Sequence, residues 1–192
     1  MLRRVRFTIA LTAVLVLILS APASASSSVA SDARGDIATT APAYLDIVHT
    51  KATLQVGRDV FLFQTVNAAP VPAAPAGFRA WNWLIDLPGG VPIEYALTVR
   101  FCSHLIQRTC VGDAWHWESS MTNMMTGAQV SNAFAFEVDQ ESVKAWVPRA
   151  FIQSPTGFMW VAATRDSPAA GNTPPVDLVP DDPSTSELIF GS

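Results

Sequence analysis

Hydrophobic residues recur at every second position in short runs along this chain, with polar residues between them. The clearest run is Phe78 to Leu87, FRAWNWLIDL. Trp81, Trp83, Ile85 and Leu87 are spaced by two, and in a strand such residues share one face. The opposite face takes Phe78, Ala80, Asn82, Leu84 and Asp86, a mixture of types. The pattern predicts a mostly buried strand that the rest of the chain packs around.

Other runs flank it. Tyr44–Val56 and Val60–Val66 read as two strands joined by Gly57-Arg58-Asp59, a short Gly-containing connector of the hairpin kind. Asn67 to Gly77 carries Pro70, Pro72 and Pro75, which cannot donate ladder hydrogen bonds, so it reads as a long crossover between two sheets. Pro88-Gly89-Gly90 is a turn. Glu94 to Cys102 alternates cleanly, with Tyr95, Leu97, Val99 and Phe101 on one face and Ala96, Thr98, Arg100 and Cys102 on the other. Met121 to Val130 is irregular. Ala133–Val138 and Val143–Phe151 read as strands paired across the polar turn Asp139 to Ser142, and Phe158–Thr164 as the last strong strand. No apolar stripe with helical spacing runs the length of a helix. About eight or nine strands with frequent turns predict an all-β, antiparallel β-sandwich.

The ends have a different composition. Arg3, Arg4 and Arg6 precede an apolar run from Phe7 to Leu19, followed by Ala23-Ser24-Ala25, the order of a secretory signal peptide covering residues 1–25. Residues 26–42 are rich in Ser, Ala, Thr and Asp without periodicity and read as a flexible leader. The sandwich domain is expected over 43–166. Residues 167–192 read as a Pro/Ser/Asp-rich tail, with Leu188-Ile189-Phe190 able to dock back. The expected compartment is secreted or extracellular, with no membrane span after cleavage.

Removing three arginines with the signal peptide leaves nine Lys+Arg against 16 Asp+Glu, a net charge of about −7. No basic cluster stands out, which argues against nucleic acid as a partner. Export makes a disulfide the natural state of the two cysteines, Cys102 and Cys110, brought together by a turn through Leu105 to Gln107.

Candidate chemistry is sparse. His49, His104 and His116 lie in separate segments without ligand spacing, so no metal site is expected. No Gly-x-Ser-x-Gly elbow is present, and no catalytic residue is assigned. Asp46, Asp86, Glu118 and Asp139 would supply the carboxylate pair of a glycoside hydrolase only if the fold set two of them face to face. Six tryptophans remain the most informative feature. Trp81 and Trp83 belong to an apolar stripe and are expected in the core. Trp115, Trp117 and Trp146 have polar neighbours, namely His116, Glu118 and Lys144, and are the candidate ligand-binding residues. An indole offers an apolar plate to the C–H face of a sugar, and its polar neighbours offer hydrogen bonds to the hydroxyls.

Several pieces together resemble a known group. They are Asp46-Ile47-Val48, Phe61-Leu62-Phe63, Trp83-Leu84-Ile85-Asp86 before a turn, Val147-Pro148, Phe158-Met159-Trp160 and Val179-Pro180-Asp181. They resemble small secreted prokaryotic β-sandwich domains of the carbohydrate-binding-module and DOMON-like kind, over most of residues 44–182. The resemblance implies fold more than activity, with sugar or haem as the ligands of DOMON-like domains. Haem would need an axial Met and His, and no such pair is assigned, so no cofactor is expected. Where an Asp-x-Asp calcium turn would follow the central strand, this chain has Leu87-Pro88. The expectation is a non-catalytic domain that binds a glycan or an extracellular protein. The alternatives are a secreted hydrolase with a carboxylate pair and a purely structural envelope domain.

Overall fold

A computed structural model describes residues 26–89, 93–167 and 174–180, together with the backbone of 187–189. The signal peptide expected over 1–25 lies outside the described residues. Among the described residues, twelve strands form two antiparallel sheets: β1 Ser27–Ser31, β2 Ile47–Gln55, β3 Val60–Asn67, β4 Arg79–Asp86, β5 Tyr95–Cys102, β6 His116–Asn123, β7 Gln129–Ser131, β8 Ala135–Val138, β9 Ser142–Pro148, β10 Gly157–Arg165, β11 Asp177–Val179 and β12 Glu187–Ile189. The first sheet runs β1-β2-β3-β9-β8. The second runs β11-β10-β4-β5-β6-β7, with β12 also pairing with β10. This is an all-β sandwich, and no α-helix occurs among the described residues.

The alternating runs fold as their period requires. Trp81, Trp83 and Ile85 of β4 are fully buried between the sheets, as are Phe61 and Phe63 of β3 and Leu97 and Val99 of β5. Aromatic rings from both sheets interlock. The Phe63 ring lies 5.9 Å from Trp83 and 6.5 Å from Trp160, and Phe61 meets Phe158 edge-on at 5.1 Å. Such pairs add specific geometry to a large buried apolar area.

The β2–β3 and β8–β9 hairpins form as the turns predict. In the first, the left-handed residue is Asp59 (φ 51), not Gly57. Aspartate tolerates this conformation, and its carboxylate meets Arg149 at 3.3 Å. Residues 68–78 cross from the first sheet to the second. This crossover is tied down by the Ala68 N–H donating to the Asp46 carbonyl and the Val71 N–H donating to the Gln140 carbonyl.

Three expectations need correction. The strands among the described residues number twelve, where about eight or nine were expected. Residues 26–42 are not a featureless leader, because Ser27–Ser31 pairs antiparallel with Thr53–His49 as the edge strand β1. An edge strand is held by its backbone ladder and needs no apolar stripe. Within the expected tail, 177–179 pairs with 162–164 of β10 and the backbone of 187–189 pairs with 157–159. The short strands β7, β11 and β12 have three residues each, too few for periodicity to register.

Candidate functional site

The outer face of the second sheet carries the most distinctive surface. Of the positions opposite the buried stripe of β4, Asn82 falls in line with small residues on its neighbours, and Ala80 lies between Arg100 and Arg165. Ala80 and Asn82 lie beside Arg100 and Thr98 of β5, and on the other side Asn82 lies beside Ala163 of β10. With Ala96 and Ser120 these residues floor a groove of about 340 Å³. Small side chains on adjacent strands leave room above the pleat that larger ones would fill. Gln107 and Thr109 form one wall, and Met124 and Gln129 line it beyond β6.

The floor is polar but internally satisfied. The Thr98 hydroxyl donates to Asn82 Oδ1 at 2.9 Å, and Asn82 Nδ2 donates to the Ala163 carbonyl at 3.4 Å. Gln129 differs. Its Nε2 is buried and has no acceptor among the described residues. A buried amide without a partner is unfavourable by about 1–3 kcal/mol. No Asp, Glu or His lines the groove among the described residues.

The wall is fixed by a buried ion pair. Glu118 is fully buried and Arg100 is 3% exposed. Arg100 Nε and Nη2 both donate to Glu118 Oε1, at 2.8 and 2.5 Å. The other carboxylate oxygen accepts the Val111 N–H at 2.8 Å and lies 3.1 Å from His116 Nε2. Arg100 Nη2 also donates to the Thr109 carbonyl at 2.9 Å. The Cys102–Cys110 disulfide closes the same loop. It does not link two paired strands as the hairpin reading expected, because β6 begins only at His116.

The tryptophans expected to bind ligand do not form one platform. Trp115 is 41% exposed and stacks on Phe101 at 5.6 Å with an interplanar angle of 15°. Trp117 is half-buried between Trp81 and Phe101, and its Nε1 donates to the Ala73 carbonyl at 2.8 Å. Its edge borders a second, open cleft with Pro70, Pro72, Phe136 and Gln140. Trp146 lies on the first sheet, paired with Leu62 and Ala135. The fold therefore brings Trp115 and Trp117 together around Phe101 and sets Trp146 apart.

The acids named from sequence sit on different elements. Asp139 caps the β8–β9 turn. Burial works against its ionisation, but the Lys144 ammonium, the Ser142 hydroxyl and the N–H groups of Glu141 and Ser142 outweigh that and lower its pKa to about 2. The Asp86 carboxyl is pushed up by burial and then by the Glu94 charge. Asp46 is 2% exposed, and its Oδ2 accepts the Gly35 N–H.

Among the described residues, two clusters have metal-like composition. In the first, Cys102 and Cys110 are joined to each other and Glu118 is engaged on both oxygens. The second joins Asp32 and Asp36, in the turn after β1, to Asp177 at the start of β11. Burial raises the Asp177 carboxyl to about 6 against the hydrogen bonds from the Ile47 and Leu178 N–H groups, and the charges of Asp32 and Asp36 push the same way. Sequence inspection missed this cluster because its members are far apart along the chain.

These observations define the class, an antiparallel β-sandwich with a small-residue groove on the outer face of one sheet. Comparison with protein-family models, with curated proteins and with solved structures gave no match.

Proposed function

We propose that this is a secreted, non-catalytic binding domain whose groove on the second sheet takes an extended neutral glycan. The carrying observation is the buried, unpartnered Gln129 Nε2 in a groove floored by small and hydroxyl-bearing residues. A sugar chain is flat and rich in acceptors and donors. The methyl groups of Ala80, Ala96 and Ala163 suit its C–H faces, and Thr122, Ser120 and Gln129 suit its hydroxyls. The groove offers no general acid or base among its described lining residues, which favours binding over hydrolysis. The two-sheet architecture is compatible with the resemblance to carbohydrate-binding-module and DOMON-like sandwiches. The N-terminal pattern of residues 1–25 supports export, as does the disulfide. Trp115, Trp117 and Trp146, the residues first expected to make the contact, are not part of the groove, and Trp117 borders the rival cleft.

The test is a glycan array on the exported protein, followed by calorimetric titration of the hits. Ala96→Trp, which fills the groove, should abolish binding, and Gln129→Ala should weaken it about tenfold. Trp117→Ala should leave it unchanged. An empty array would overturn the glycan reading, and loss of binding in Trp117→Ala alone would move the site to the second cleft.

A further inference from the structure

The second cleft, of about 800 Å³, shares no lining residue with the groove. One side of it is β8, which lies at the edge of the first sheet. The Asp139 N–H donates to the Ser142 carbonyl at 3.0 Å, so these two residues are a hydrogen-bonded pair of the β8–β9 hairpin. Such pairs occur at every second residue of an antiparallel ladder. Glu137 opposite Lys144 and Ala135 opposite Trp146 are therefore the residues of β8 that bond across to β9. Phe136 and Val138 turn their backbone N–H and C=O groups the other way, to the outer edge.

This outward row is engaged at both ends and open in the middle. At one end the Phe134 N–H donates to Ser119 Oγ at 3.2 Å, and the Ser119 hydroxyl donates to the Phe134 carbonyl at 2.7 Å. At the other end the Gln140 carbonyl accepts the Val71 N–H at 2.9 Å. The backbones of Phe136 and Val138 have no such partner among the described residues. Pro70, Pro72 and Trp117 line the cleft beside them. The prolines have no N–H to offer the edge, and the Trp117 indole N–H is committed to the Ala73 carbonyl.

An open sheet edge beside an apolar cleft suits an extended peptide, whose main chain continues the ladder while alternate side chains enter the pocket. Charge narrows the choice of peptide. Lys144 is shared between Glu137 and Asp139, at 2.8 and 2.9 Å, so the pair of acids keeps one negative charge uncompensated. A second copy is a poor occupant. Pairing β8 with itself through both open residues sets Glu137 against Glu137, and like charges directly opposite are destabilising.

We propose that the β8 edge docks an extended segment of a partner protein as a further strand of the first sheet, with apolar residues at alternate positions and Lys or Arg between them. Side chains opposite Phe136 and Val138 share their face and enter the cleft. The cation lies opposite Glu137 on the outer face.

The experiment pans the full exported chain against a displayed library of random dodecapeptides and titrates the enriched peptides, made synthetically, by calorimetry. The expected motif is apolar, Lys or Arg, apolar. Hydrogen exchange at the Phe136 and Val138 amides should slow by about tenfold or more on binding. Methylating the peptide's backbone nitrogens at one alternate set of residues should abolish binding, and methylating the other set should leave it, because only one set faces β8. Val138→Pro deletes an outward donor and leaves the β8–β9 ladder intact, so it should fold and lose most of the binding; should it not fold, the methylated peptides decide. Ala96→Trp, in the groove, should bind peptide as wild type does. No enriched motif, binding that tolerates methylation of either set, or unchanged exchange at Phe136 and Val138 in the bound protein would each overturn the proposal. A dimer that protects those two amides without peptide would also overturn it and give the edge to a second copy.

Discussion

Replacing Glu118 by alanine is the perturbation whose magnitude the structure specifies best. The wild-type carboxylate takes two guanidinium hydrogen bonds from Arg100 and the Val111 N–H, with both charged side chains almost wholly out of solvent. Without it, Arg100 keeps its bonds to the Thr109 hydroxyl and carbonyl but remains a buried cation with no counter-charge. Breaking one side of a buried pair costs about 3–5 kcal/mol, and the freed Val111 N–H adds about 1 kcal/mol. A destabilisation of about 4–6 kcal/mol is a large part of the roughly 5–15 kcal/mol that holds a domain together. It should lower Tm by about 10 °C or more. The double variant Arg100→Met/Glu118→Leu removes both charges, and it should recover most of that loss, because paired buried charges contribute little net stability over apolar replacements. Urea unfolding of the oxidised protein, followed by tryptophan fluorescence, measures all three forms. A Glu118→Ala loss below about 1 kcal/mol would show that water reaches the pair. A double variant no more stable than Glu118→Ala would contradict the pairing of the two residues.

Other perturbations follow from the packing. Trp83→Ala should cost about 3–5 kcal/mol, because its fully buried indole packs on Phe63; a melt near wild type would contradict its place in the core. Deleting residues 26–31 removes the β1 ladder, so Tm should fall by a few degrees, and an unchanged Tm would restore the dispensable leader. The Asp139 pKa of about 2 lies below its usual 3.8, so its contribution is present above pH 3.8 and is lost as pH falls through 2. With this side chain 39% exposed, solvent screening holds the effect below about 1 kcal/mol; Asp139→Asn should flatten the stability curve between pH 4 and 2, and an unaltered curve would deny the Lys144 and Ser142 contacts their role.

The parts of the fold legible in the sequence are those with a local period. β4, β5 and the two hairpins announced themselves because each turns an apolar face to the core, and the pleat then writes that face at every second residue. β1 has no such signature, since Ser27–Ser31 is held by its backbone. The groove was half visible. The mixed face opposite the Trp81–Ile85 stripe was plain in the sequence, but Ala163 lines up with Asn82 only through strand pairing across 81 residues of chain. The surroundings of the tryptophans were not legible for a related reason. Polar neighbours in sequence say little about a side chain whose company is tertiary, and Trp117 is half-buried on Trp81 and Phe101. The carboxylates of Asp36 and Asp177 meet across the whole domain, which no spacing rule reports.

Chemical-shift mapping of a glycan from the array onto the ¹⁵N-labelled domain tests the binding-groove reading most directly. Perturbed amides are predicted at Asn82, Thr98, Ser120 and Gln129, on one face of the second sheet. Perturbations gathered instead around Trp117, Phe136 and Gln140, with the groove residues unmoved, would contradict it.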